Sequence, residues 1–252
     1  MTETKIRARR IAGEGWVTPI GAWSYSSVDD PTGVITSNAD ETGIIGLGDK
    51  IKLTNGGNTI YGFVTKISYS SPNTTITFLH EIDPTDNLAL YLLANSAITN
   101  PYYSHAKVPF GFSSSPLSWS ISKSDTTDRT IVSGTTTWSN LSTVSVDIPI
   151  GLWYVSHKSS VGIYQATAGN AQIYSTLSTA NNSESDATLT DQNAVIVANY
   201  NTNALRVKNK VLELASKTTY YQNARTLVAA NSLSIYSAGA LPANVTCVCA
   251  YL

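Results

Sequence analysis

Polar and apolar positions alternate along most of this chain with a period of two, and turn-forming residues interrupt the alternation at short intervals. That pattern predicts short β-strands, because successive side chains of a strand point to opposite faces. The clearest case lies within residues 43–112. Lys50-Ile51-Lys52-Leu53 leads into Thr54-Asn55-Gly56-Gly57, and a longer run follows from Thr59 to Ser70. Asn-Gly between two alternating runs predicts a tight hairpin, since both central residues of a type I′ turn need positive φ. The longer run puts Tyr61, Phe63, Ile67 and Tyr69 on one face and Gly62, Lys66 and Ser68 on the other, a strand with one wet side. Ser70-Ser71-Pro72-Asn73 then turns the chain into a third strand from Thr74 to Leu79. Such a meander is the smallest sheet expected to hold together with a single apolar face.

Upstream, Asp29-Asp30-Pro31-Thr32-Gly33 predicts a turn. Val34-Ile35-Thr36 and Gly43-Ile44-Ile45 read as short strands on either side of a polar loop. Residues 86–96 place Leu88, Tyr91 and Leu92 at helical spacing behind a capping Asp86, and read equally as a short strand and loop. Three prolines and a triple serine across 100–116 mark a boundary, with the linker at 106–116. After it, Leu117, Trp119 and Ile121 alternate with serines, and Val144 to Ile150 is the cleanest period-two run in the chain. Further strands are expected at 152–156, 171–177, 194–200, 211–214, 233–236 and 245–251. Residues 203–216 read alternatively as a helix, with Leu205, Lys208 and Leu212 on one face. Strands at this spacing predict an antiparallel sandwich, with a jelly-roll as the expected arrangement. No 20–50-residue repeat points to a β-helix or propeller. The fold class is therefore all-β. A small N-terminal meander, barrel-like, is expected at 16–105, followed by the linker and a jelly-roll-like sandwich at 117–252.

Composition changes this picture in one respect. Charged residues are 13% of the chain, against about 25% in ordinary domains, and Ser, Thr and Asn fill the polar positions. A net charge of -1 argues against nucleic-acid binding, which calls for a concentrated basic excess. At 42% apolar there is material for real cores. No leader is visible at the start, and no run approaches 18 apolar residues, so no membrane insertion is expected. Cys247 and Cys249 sit two apart on one strand face, a poor geometry for a mutual disulfide, and read as small buried hydrophobes. Residues 1–15 differ from the rest. Lys5, Arg7, Arg9 and Arg10 are four of the chain's 16 Lys and Arg, and read either as a solvated terminus or as an anchor that orders on a larger particle.

The search for chemistry yields little. His80, His105 and His157 are scattered, with no second ligand at metal spacing, and no nucleophile elbow or phosphate loop occurs. Asp29, Asp30, Asp40 and Glu41 supply too few oxygens nearby to make a calcium site. Asp125, Asp128, Asp147, Asp186 and Asp191 could in principle pair for glycoside cleavage, but loop carboxylates are far more often turn or solubility residues. The expectation is a protein that is not an enzyme and needs no metal or cofactor. Five Trp and 14 Tyr in an amide-rich chain suit carbohydrate contact instead, because a flat ring covers the apolar face of a sugar. Trp119 and Trp153 are core by preference. Tyr164, Tyr220 and Tyr221 lie beside polar loops and are the surface candidates.

One stretch also carries a family resemblance. Trp23-Ser24-Tyr25, Gly48-Asp49-Lys50-Ile51-Lys52-Leu53, Tyr61-Gly62-Phe63-Val64-Thr65, Pro72-Asn73-Thr74-Thr75-Ile76-Thr77, Asn100-Pro101-Tyr102-Tyr103-Ser104 and Pro109-Phe110-Gly111-Phe112 together resemble an N-terminal module of tailed-bacteriophage virion proteins. The match runs over residues 14–113, and its phrases are specific in combination. The resemblance implies a virion structural protein, assembled in the host cytoplasm, that partners capsid, collar or tail proteins. It brings no catalytic residues. With the sandwich added, the expected function is a homotrimeric tail or head fibre that attaches by its N-terminal module and binds a host-surface glycan as receptor. The alternative is a head-decoration, head-fibre or collar protein with a purely structural role.

Overall fold

The computed structural model describes residues 15–166, 169–197, 201–238 and 242–252. Among these the regular structure is β-strand with two short 3-10 turns, and no helix is long and apolar enough to cross a membrane. The chain divides into two units. One runs to Ser120 and also takes Pro149–Leu152 and Cys249–Leu252; the other holds Ile121–Ile148 and Trp153–Val248. The basic cluster of Lys5, Arg7, Arg9 and Arg10 lies outside the described residues.

The first unit is one six-stranded antiparallel sheet. Its strands are β1 (Trp23–Asp29), β2 (Thr32–Ser37), β3 (Lys50–Asn55), β4 (Asn58–Ser70), β5 (Asn73–His80) and β6 (Ile98–Ser104), in the order β1-β2-β5-β4-β3-β6. The meander of β3, β4 and β5 stands where the alternation put it. Its hairpin turns on Gly56 and Gly57, both at positive φ, with Asn55 kept as the last residue of β3 opposite Asn58. The sheet curls, and Val17, ahead of β1, pairs with Tyr103 on β6. Trp23, Ile35, Ile51, Leu53, Ile60, Ile76 and Phe78 fill its concave face.

Two expectations for this unit are corrected. The first concerns the faces of β4. A bulge between Val64 and Lys66 leaves Thr65 without a partner on β5, so the side-chain phase reverses there. Tyr61 and Phe63 face outwards, while Ile67 packs against the concave core. Nor is the outer face wet. Phe63 is fully buried beneath Phe112 and Trp119, whose rings stack 4.9 Å apart at 9°. Phe112 comes from the stretch expected to be a linker, and it instead packs onto this unit together with Trp16. Gly62 answers the same crowding from the inside, for an added Cβ would lie 2.5 Å from the Leu79 carbonyl oxygen. The second correction concerns Gly43-Ile44-Ile45, which is a turn. The Ile44 and Ile45 N–H groups both donate to the Glu41 carbonyl, and Ile45 is drawn into the core. Residues 86–96 form a loop with one isolated bridge, Ile82 to Ala89.

Among the described residues the second unit has ten strands. They are β7 (Ser120–Asp125), β8 (Arg129–Ile131), β9 (Ser145–Ile148), β10 (Gly151–Tyr164), β11 (Gly169–Ser178), β12 (Thr190–Val197), β13 (Asn201–Leu214), β14 (Thr218–Thr226), β15 (Ser232–Ile235) and β16 (Ala243–Cys249). One sheet runs β7-β16-β10 with β13 also on β10, and β15 and β8 continue it at the far end of that long strand; the other runs β12-β11-β14-β9. Setting β7, β9–β14 and β16 as eight successive strands, these two orders are those of a jelly-roll. The expected sandwich is therefore present. The stretch 203–216 is strand as far as Leu214 and not a helix. Pro116 opens a 3-10 turn that delays β7 until Ser120.

The sandwich core is partly polar; several of its polar groups are bonded across it, while His157 Nδ1 and Gln222 Oε1 are left without a partner. The Ser159 and Ser175 hydroxyls meet at 3.0 Å, the Gln222 amide donates to the Lys158 carbonyl at 2.8 Å, and His157 Nε2 lies 2.9 Å from the Leu189 carbonyl. Beside them lie Trp153, Val155, Val161, Ile173, Leu177 and Cys247, all fully or nearly fully buried. Both cysteines are free and buried, and burial pushes each thiol up to about 12.

His80, in the first unit, is 1% exposed. Its Nδ1 lies 2.9 Å from the Pro31 carbonyl and its Nε2 accepts the Leu93 N–H at 3.2 Å. A carbonyl only accepts and an N–H only donates, so both bonds require the neutral ring with its proton on Nδ1. Burial pulls its pKa down to about 4, against a weaker upward pull from the Pro31 carbonyl. The folded value lies below the unfolded value of about 6.5, so the unfolded chain binds the extra proton first. The contribution is complete above pH 6.5 and is lost as pH falls towards 4. At about 1.4 kcal/mol per pKa unit, the loss is on the order of 3 kcal/mol. Urea midpoints measured from pH 7.5 to 4.5 should fall more steeply for the native chain than for His80→Gln, and parallel curves would refute the assignment.

Candidate ligand-binding face

The four-stranded sheet of the second unit buries one side and leaves the other to be covered by loops or solvent. On β11, Ile173, Ser175 and Leu177 point inwards, which turns Gln172 and Tyr174 outwards. The register then does the rest. Tyr174 sits opposite Arg225 on β14 and opposite Gln192 on β12, so the three share the outer face. Trp138 is brought to them by the segment between β8 and β9. That segment is pinned to β14 by the Ser139–Ala224 bridge and by the Thr226 N–H, which donates to the Thr135 carbonyl at 2.7 Å.

The result is an aromatic and guanidinium cluster. The Arg225 Cζ lies 4.9 Å from the Trp138 ring centre and 4.8 Å from that of Tyr174. The two rings meet edge to face at 6.3 Å and 79°. Such cation–ring contacts are each worth about 0.5–1 kcal/mol when exposed and more when dry. Arg225 Nε is sealed without an acceptor, and no carboxylate pairs with Arg225 among the described residues. Alongside, Gln172 Oε1 accepts both the Tyr174 hydroxyl at 2.8 Å and the Gln192 amide at 3.2 Å. Flat rings, amides and a fixed cation in one plane are the groups that hold a polyhydroxylated ligand.

The three tyrosines singled out from sequence do not form one site. Tyr220 and Tyr221 are neighbours on β14 and therefore point to opposite faces. Tyr220 faces the core at 6% exposure, where burial raises its phenol pKa, so its ring is closed to a sugar. Tyr221 is on the outer face, two strand positions from Asn223 and four from Arg225. The loop 179–185 folds over the sheet between them. Asn223 holds that loop by donating to the Ala180 and Ser183 carbonyls at 3.0 and 2.7 Å and accepting the Asn182 N–H at 3.3 Å. Tyr164 ends β10, in the other sheet, opposite Ser232. That other sheet carries a depression of about 300 Å³ lined in part by Tyr154, Asn209, Thr246 and Val248. It offers no cation that is free, since Lys210 at its edge donates to Asp186 at 2.6 Å.

The five aspartates that could have paired for glycoside cleavage are similarly committed. Asp125 pairs with Arg129 and Asp191 with Arg206 at 3.2 Å, while Asp128 accepts the Ser237 and Ala238 N–H groups and Asp147 accepts the Thr219 hydroxyl. The Lys210 ammonium and Thr188 together hold Asp186 down to about 2. In the first unit Glu41 is turned inwards, where the Gly21 N–H and the Ser37 hydroxyl donate to it at 2.8 Å. No group of three His, Cys, Asp or Glu placed to hold a metal occurs among the described residues.

No protein-family model matches the chain, and no curated protein is significantly similar to it. Among solved structures, similar chains occur in infectious bursal disease virus. For the Gx strain the identity is 12%, over 91% of this chain and 62% of that one, with a TM-score of 0.23. For the Gt strain the values are 10%, 90%, 59% and 0.19. A point mutant of the VP2 protein of the same virus, in T=1 particles, gives 9%, 90%, 60% and 0.18. The chain thus spans about three fifths of the length of the structures it matches. Scores this low define no common fold, and the jelly-roll assignment rests on strand order alone.

Replacing Asn223 with Ala should release the loop 179–185. Three hydrogen bonds vanish and two carbonyls lose their donor, a cost of about 2–4 kcal/mol. Urea unfolding of N223A measures it, and proteolysis should begin within the loop. A midpoint equal to that of the native chain would show that the loop is held otherwise.

Proposed function

We propose that this chain is a structural protein of a bacteriophage virion and acts there as a fibre, attaching by its first unit and binding a host-surface glycan with its second. The observation that carries the receptor half is the Trp138–Arg225–Tyr174 cluster, displayed on the outer face of a jelly-roll and flanked by Gln172 and Gln192. The virion half is supported by the sequence resemblance over residues 14–113, which falls within the first unit.

A second observation supports assembly. Leu205, Val207 and Val211 alternate along β13 at 44–47% exposure, and Tyr154 on the neighbouring β10 is 59% exposed. Apolar side chains in a row on one strand face gain most by meeting another subunit. With charged residues at 13%, few ions need be desolvated in doing so. A closed threefold ring covers such a surface without open filaments and multiplies weak glycan contacts. The same stripe suits the alternative, in which another virion protein covers it and the chain decorates a head or collar.

Light scattering of the full-length protein at micromolar concentration should return three times 26.9 kDa. A monomer there would remove the trimer and favour the decorating role. Labelled protein should adsorb to susceptible bacterial cells and Trp138→Ala should adsorb at least tenfold less, whereas equal adsorption would remove the receptor role from this face.

A further inference from the structure

Beside Arg225, on the outer face of the four-stranded sheet, several donors have no protein acceptor among the described residues. Gln172 Oε1 already takes two hydrogen bonds, from the Tyr174 hydroxyl and the Gln192 amide. That leaves the Gln172 amide hydrogens and the second Gln192 hydrogen to be satisfied from outside, along with the guanidinium of Arg225. Arg225 also differs from the other two arginines of its unit: Arg129 and Arg206 each have an aspartate, at Asp125 and Asp191, whereas Arg225 has only the faces of Trp138 and Tyr174. Held against both rings, the guanidinium is in place before any ligand arrives, and little freedom is lost when a planar oxyanion docks on it.

We propose that this face selects an acidic saccharide, a sugar whose ring lies against Trp138 and Tyr174 while its carboxylate accepts from Arg225 and its hydroxyls from the two glutamine amides. A neutral sugar would leave the guanidinium unanswered, and a bare anion would leave the rings uncovered. Charge-assisted bidentate bonds to a carboxylate are about twice as strong as neutral ones. The inference rests on reading this face as the receptor-contacting surface, and it adds the ligand's charge and class.

The test uses the full chain with three probes: trigalacturonate, its methyl ester, which keeps the rings and removes the charge, and inorganic phosphate. Tryptophan fluorescence should report saturable binding of the acid and at least tenfold weaker binding of the ester. Arg225→Gln should abolish that preference, Arg225→Lys should keep part of it, and Trp138→Ala should weaken both saccharides, each at an unchanged melting temperature. Should a variant unfold, the acid-against-ester comparison in the native chain decides alone. Equal binding of acid and ester, phosphate competing as well as trigalacturonate, or no binding of the acid would each overturn the proposal. Trp138-dependent adsorption to cells alongside charge-blind binding would sink the acidic preference and spare the receptor reading. Preference for the acid without any cell adsorption would do the reverse.

Discussion

A strand shows a given face only at every second residue, so one that must serve two packed surfaces needs a break in phase. Thr65 supplies that break in β4. Before it, Tyr61 and Phe63 meet the rings of Trp16, Phe112 and Trp119; after it, Ile67 turns into the concave core. Without the extra residue, Phe63 and Ile67 would share a side, and one of the two surfaces would lose its largest β4 side chain. Burying a Phe is worth about 1.5–3 kcal/mol relative to leaving it in water. Phe112, Trp119 and Trp16 all come from outside the six strands, yet the first two close over Phe63 and Trp16 meets Tyr61 beside it. The bulge is therefore what commits three separate pieces of chain to this unit.

The second unit meets a different constraint. Its core contains Ser159, Ser175, His157, Gln222 and Thr226, which no area argument would place inside. They are stable there because each finds a partner; Thr226, for example, donates to the Val228 carbonyl at 2.7 Å. A polar interior fixes which strand faces which, since a slip of one residue would leave several groups unbonded at about 1–3 kcal/mol apiece. That register also sets the outer face. Because Ile173 must point in, Tyr174 must point out, and the Tyr174–Arg225 pairing follows from the same ladder.

What was legible in the sequence follows from this difference. The meander and the jelly-roll strands with apolar inner faces announced themselves by alternation, as with Val146 and Ile148 on β9. β14 did not, because its inward residues are Tyr220, Gln222, Ala224 and Thr226, and a polar inner face carries no period-two signal. Missing that strand hid the site. Tyr220 and Tyr221 read as a surface pair only while no strand separated their faces, and Arg225 had no visible neighbour. Trp138 lies in a segment with no pattern of its own, tied to β14 by the Ser139–Ala224 bridge and by hydrogen bonds between Thr226 and Thr135. The reversal within β4 was equally hidden, since a bulge is a property of two paired strands and Thr65 alone carries no mark of it. The stretch 106–116, read as a linker, shows how far composition reaches. Proline and serine predict irregular chain correctly there, but irregular chain can still pack, and Phe112 does.

The charge-poor composition gains its meaning from the cluster at Arg225. With so few ions on the chain and a net charge of -1, there is little field to steer a ligand from afar, and salt screens what there is within about 8 Å. In the proposed receptor role, recognition then happens at contact, where geometry matters more than total charge. A guanidinium clamped between two rings suits that regime, because its charge is presented in one orientation and is not lost to a neighbouring aspartate. A contact so small can give only weak affinity by itself. In the proposed fibre, the exposed apolar row on β13 is the complement: a surface for joining copies, through which several weak contacts would act together.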